Sequence, residues 1–75
     1  IRVLREGYVS MDLAQNLLIM KTVSGMAMAV AAAVDALKLD EIVGCIAGDN
    51  TIMMAMRSEN EAAQVMDKLR RMIEQ

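Results

Sequence analysis

The chain reads as an α+β domain, a two-layer ββαββα sandwich whose four-stranded, mainly antiparallel sheet carries two helices on one face. Three observations predict this. An alternating run closes on Gln15-Asn16, and two apolar runs meet at Gly48-Asp49-Asn50, so each reads as a hairpin. Each hairpin is then followed by a segment suited to a helix, which gives the order strand, strand, helix, twice over.

Taken in order, Ile1 to Glu6 look like the end of a linker or helix, and the domain itself is expected over residues 7–75. Residues 7–15 place Tyr8, Ser10 and Asp12 on one face and Val9, Met11 and Leu13 on the other, the period-two pattern of a half-buried strand. Leu17 to Val23 forms the second strand, with Lys21 and Thr22 near its exit. Ser24 can cap a helix running to about Leu39, although Gly25 and the β-branched residues make it less favourable than its alanines suggest. That helix is apolar nearly all round, so it should be buried against both its own sheet and a neighbouring subunit. The second hairpin runs from Ile42 to about Arg57 and carries Asp49 at its tip. Asp and Asn tolerate the left-handed conformations that turns need, so Asp49 and Asn50 suit the bend whether or not they have another role. Ser58 and Glu61 make a capping box, behind which Ala62, Val65, Met66, Leu69, Met72 and Ile73 recur at helical spacing. Asp67, Lys68, Arg70, Arg71 and Glu74 occupy the opposite face and read as a solvated surface.

Composition narrows the function. A chain of 75 residues is one domain at most, and a domain so small buries only about 60% of the surface its unfolded chain exposes. Yet 56% of its residues are hydrophobic and Tyr8 is its one aromatic. More apolar surface exists than one copy can hide, which predicts a homo-oligomer. The net charge of −2 supplies no basic footprint, so this segment is not expected to bind nucleic acid itself. The lone Cys45 cannot form an internal disulfide and reads as a small core side chain, in keeping with a reducing cytoplasm. The apolar run from Gly25 to Val34 is too short to span a bilayer, and no signal-peptide pattern precedes it, so a soluble, cytoplasmic protein with no membrane partner is expected. Because the chain starts at Ile1 rather than Met, an N-terminal segment is expected to precede it.

The chain has no His, no paired Cys, and no Ser or Thr with an evident base partner. Neither an enzyme nor a metal site is expected, and no cofactor is implied. Asp12, Asp35, Asp40, Glu41 and Asp49 show no spacing that predicts a catalytic dyad. Asp35 stands apart, because helical periodicity puts it on the face shared by Met28, Ala31 and Ala32. An acid on an apolar helix near an interface needs a partner, whereas one at a solvent-facing helix end does not. Periodicity leaves both placements open.

Gly44-Cys45-Ile46-Ala47-Gly48-Asp49-Asn50-Thr51-Ile52 resembles the Gly-Thr-Ile-Ala-Gly-Asp-Asp-Thr-Ile signature of the C-terminal domain of bacterial arginine repressors. The resemblance covers most of the chain: Asn16 to Thr22 looks like that family's second strand, and Asp40 to Gly44 like the approach to its third. It implies a transcriptional repressor of arginine-metabolism genes whose C-terminal domain forms trimers that stack into a hexamer. L-arginine would bind as corepressor between the trimers, and DNA would be contacted only by a winged helix-turn-helix on a separate N-terminal domain. Carried over by motif position, Asp49 matches the first Asp of the family turn and Asp35 matches a helix Asp of the pocket. Asn50, Thr51, Met28 and Ala27 complete the candidate ligand-binding set. Three positions depart from the pattern: Ser24 stands for a Pro, Met28 for a ligand-contacting Gln, and Asn50 for the second Asp. The last two remove polar contacts, so the alternative reading is a constitutive structural oligomerisation module whose pocket has lost or changed its ligand.

Overall fold

Seven elements form in the computed structural model, which describes residues 1–75: α1 (Arg2–Gly7), β1 (Tyr8–Ala14), β2 (Leu17–Thr22), α2 (Ala27–Ala36), β3 (Ile42–Ala47), β4 (Thr51–Met56) and α3 (Glu59–Glu74). The sheet order is β1-β2-β4-β3, and every neighbouring pair is antiparallel. The two expected hairpins therefore lie side by side, joined through β2 and β4, and the α+β sandwich predicted above is the architecture observed.

The central strands separate their two faces by period two. Leu18, Met20 and Thr22 of β2, with Ile52, Met54 and Met56 of β4, are buried under the helices. Against them pack Val30 and Val34 of α2 and Ala62, Val65 and Leu69 of α3. Fully burying one such Leu, Ile or Met side chain is worth about 1.5–3 kcal/mol, and this layer supplies most of what holds a chain this short together. The outer face has no cover. Asp12, Ile19, Met53 and Ile46 form a row across all four strands, and Ile46 and Met53 remain 75% and 46% exposed.

Three local features differ from the sequence expectations. In β1 a bulge shifts the register between Tyr8 and Ser10. Tyr8 then packs against the core while Val9 is 58% exposed, reversing their expected faces, because one extra residue in a strand inverts the side-chain alternation beyond it. Helix α2 begins at Ala27, with Met26 as an N-cap that makes no side-chain bond. Ser24 does not cap it, because Gly25 takes the left-handed backbone at φ 81° and turns the chain before the helix can start. Lys68, expected on a solvated face, pairs with Glu41 and ties α3 to the entrance of β3.

The N-terminal residues form α1, whose Leu4 is buried and whose Arg5 Nε donates to the Met72 carbonyl at 3.1 Å. Gly7 lets α1 approach α2 closely: a Cβ there would lie 2.5 Å from Val30 Cγ2. One half of the expected capping box forms, Ser58 Oγ accepting from the Glu61 N–H at 3.1 Å, while the Glu61 carboxylate turns to Arg57 at 3.8 Å. The apolar stripe of α3 faces the core.

Candidate functional site

The β3–β4 turn is held by its main chain and not by the side chain of its acid. The Asp49 carbonyl accepts from the Gly25 N–H at 3.1 Å and from the Ala27 N–H at 3.2 Å. The Asn50 carbonyl accepts from the Thr22 N–H at 2.8 Å, and the Gly48 N–H donates to the Thr51 carbonyl at 2.9 Å. A hairpin turn thereby caps the N-terminus of α2 across the fold, which explains how α2 starts without a capping side chain. The Asp49 carboxylate is left exposed. It belongs to none of the three ion pairs of the chain, which are Arg2–Glu6, Arg57–Glu61 and Lys68–Glu41.

The neighbours of Asp49 divide by what they have already spent. Asn50 Oδ1 accepts from the Thr51 hydroxyl at 3.0 Å, and Thr51 Oγ1 accepts from Lys21 Nζ, also at 3.0 Å. Ala27 is fully buried and uses its N–H on Asp49, so it serves to place the turn. Met28, one residue on in α2, is 72% exposed. Lys21 was not among the expected site residues. Its signal is the pairing register, Lys21 opposite Thr51, which sequence alone does not contain. It brings a cation to the side of the turn occupied by Asn50.

Asp35 lies elsewhere. It is exposed on the last turn of α2, and the rise of an α-helix separates it from Ala27 by roughly 12 Å along the axis. The chain thus gathers Asp49, Asn50, Thr51, Ala27 and Met28 at one end of α2 and puts Asp35 at the other. Asp35 borders a cleft of about 160 Å³ between the end of α2 and the start of β3, shared with Lys38, Ile42, Val43 and Gly44. Its Oδ1 accepts a hydrogen bond from the Cys45 thiol, with Sγ at 3.6 Å. Burial pushes the Cys45 thiol above its ordinary range, and the charge and hydrogen bonding of Asp35 add to the effect.

Neither end carries the constellation of a metal centre: no group of three or more Cys, Asp or Glu side chains could hold an ion. No helix is long and apolar enough to cross a membrane. What the arrangement offers is two carboxylates without cation partners, set on opposite ends of one helix and next to exposed apolar side chains.

Comparison with known proteins gives a consistent result. The family described as arginine repressor, C-terminal domain, matches residues 4–71. The arginine repressor of Lachnoclostridium phytofermentans is 64% identical over 73 residues, covering 97% of this chain and 48% of the relative. That of Lachnospira eligens is 61% identical over 71 residues, covering 95% of this chain and 47% of the relative. A third, from Ruminiclostridium cellulolyticum, is 48% identical over 73 residues, covering 97% and 49%. The chain spans about half the length of these curated relatives, and all three are named as repressors.

Proposed function

The chain belongs to the arginine repressor family through its C-terminal domain, and from that premise we propose that it is the assembling and L-arginine-sensing part of a cytoplasmic transcriptional repressor. The observation that carries the proposal is the Asp49 turn. Its main-chain carbonyl accepts two hydrogen bonds while its carboxylate is exposed and without a cation partner. A guanidinium or α-ammonium group meets such a carboxylate in charge-assisted hydrogen bonds, bidentate in the guanidinium case.

The same geometry supports an assembled form. Asp35 and Asp49 stand at opposite ends of α2, so a ligand held closely by both draws them from two subunits. The open sheet face, with its row of Ile19, Met53 and Ile46, and the exposed Met28 supply apolar surface for contacts between copies. Trimers pairing into a hexamer would set carboxylates of several copies near one another. Shared arginine would relieve their repulsion and stabilise the assembled form by mass action. Contact with DNA is assigned to residues outside this chain, whose net charge of −2 gives no surface for phosphates.

The second reading is a constitutive oligomerisation module with an altered ligand, and Met28 favours it, since a thioether cannot replace the hydrogen bonds of an amide. Titration calorimetry with L-arginine, beside sedimentation velocity with and without it, separates the two. Heat of binding with a shift toward a hexamer supports the sensor. A stable oligomer without binding heat supports the module, and a monodisperse monomer overturns both.

A further inference from the structure

Cys45 lies in the middle of β3, opposite Met54, with its side chain only partly covered by the core. Its thiol reaches across to α2 and donates to Asp35 Oδ1 at 3.6 Å. No cation of the chain pairs with Asp35, and the thiol is the one side chain that hydrogen-bonds its carboxylate. An exposed Asp on a helix otherwise moves among staggered rotamers.

We propose that Cys45 is a positioning residue, whose thiol holds the Asp35 carboxylate in one orientation beside the cleft between α2 and β3 and leaves Oδ2 free for a cationic ligand group. The assignment rests on the reading of Asp35 as a ligand-binding acid. Restricting that carboxylate before binding lowers the ordering cost that a ligand otherwise incurs. The role needs a protonated sulfur, since a thiolate would repel the carboxylate and donate nothing. Burial and the Asp35 charge both keep the proton on Sγ. The same surroundings disfavour the thiolate, which suits the sulfur to donation.

Three variants of the chain test it: Cys45→Ala, Cys45→Ser and Asp35→Asn, each first shown by circular dichroism to keep its fold. By arginine calorimetry, Cys45→Ala is expected to weaken binding about three- to tenfold, the range of one modest hydrogen bond. Cys45→Ser, which keeps a donor, should stay within about twofold of the parent. In the Asp35→Asn background, Cys45→Ala should change nothing further. Equal losses for Ala and Ser, or a Cys45→Ala loss that persists in the Asp35→Asn background, would overturn the proposal. A readout without ligand is the pH profile of iodoacetamide alkylation at Cys45, which Asp35→Asn should move to lower pH. Coincident profiles would show that the two groups are not coupled and would overturn it as well. If the parent gives no arginine heat, the sensor reading fails, while the alkylation profile still decides whether the thiol holds the acid.

Discussion

Replacing Asp49 by Ala should separate the proposed recognition from folding, because the fold uses the carbonyl of this residue and leaves its carboxylate exposed. The fold uses the Asp49 carbonyl, which accepts from Gly25 and Ala27, and Ala keeps that carbonyl. Asp49 is not among the residues with positive φ, so Ala adopts its backbone without strain. Its side chain is exposed and makes no ion pair, so the change in stability should stay within about 0.5 kcal/mol, as for surface substitutions in general. Binding should respond very differently. If the carboxylate meets a cationic group of arginine in an interface closed to water, losing one partner costs about 3–5 kcal/mol. That is a loss of affinity of roughly a hundredfold to several thousandfold. Calorimetry with L-arginine reads the affinity, and urea unfolding of the same samples reads the stability. Parent-like binding by Asp49→Ala would refute the argument and leave Asp49 as a turn residue only. Lost binding with a stability loss of 2 kcal/mol or more, on the order of a buried contact, would refute the division of roles between carbonyl and carboxylate.

Restoring the family's polar residues with Met28→Gln and Asn50→Asp should tighten arginine binding, by about 1–3 kcal/mol for each contact regained. On the proposed trimer-to-hexamer assembly it should also make the ligand-free hexamer dissociate more readily, and sedimentation velocity giving one ligand response for both proteins would count against this. Gly7→Ala should lower stability by about 1–3 kcal/mol through overpacking, since the new Cβ would lie 2.5 Å from Cγ2 of the buried, β-branched Val30. Thermal unfolding reads it, and an unchanged midpoint would mean that α1 is not held against α2 as described. Glu41 is shifted below its ordinary value of 4.5, first by its hydrogen bond from Lys68. A lowered carboxylate pKa contributes stability that is complete above the unfolded value and lost as pH falls through the folded one. Glu41→Gln should therefore remove part of the stability at neutral pH but narrow its gap to the parent below about pH 4. Parallel urea midpoints for the two proteins across that range would contradict the pairing.

Much of the fold was legible in the residues, because its signals act over short distances. Helix α3 is the plainest instance, with a cap three residues from its partner and an apolar stripe that repeats every turn. The β3–β4 hairpin needed only two apolar strands and a Gly-Asp-Asn bend. Asp49 as a candidate site residue came from motif wording, which marks a position without saying which of its atoms is free. The misread residues are those whose neighbours lie far along the chain. Val9 and Tyr8 exchanged faces because of a bulge, and a strand's own alternation carries no mark of one. Ser24 had the composition of a cap, yet α2 takes its cap from a carbonyl in another hairpin. Lys68 looked like any charge on a helix surface until β3 brought Glu41 to it.

By itself the sequence determined the order of the two hairpins and their following helices, the inward face of α3, the excess of apolar surface and the family motif, since periodicity, capping and turn chemistry are properties of neighbouring residues. The inward faces of the continuously apolar β2 and β4 came from the packing. Only the tertiary structure decided that Asp49 and Asp35 stand at opposite ends of α2, that the first is fixed through its carbonyl, and that the second accepts a hydrogen bond from Cys45. Those relations depend on the pairing of β2 with β4 and on the packing of α2 over β3. Chain closure creates such contacts between groups that have no local reason to meet, so no pattern in a short window can encode them.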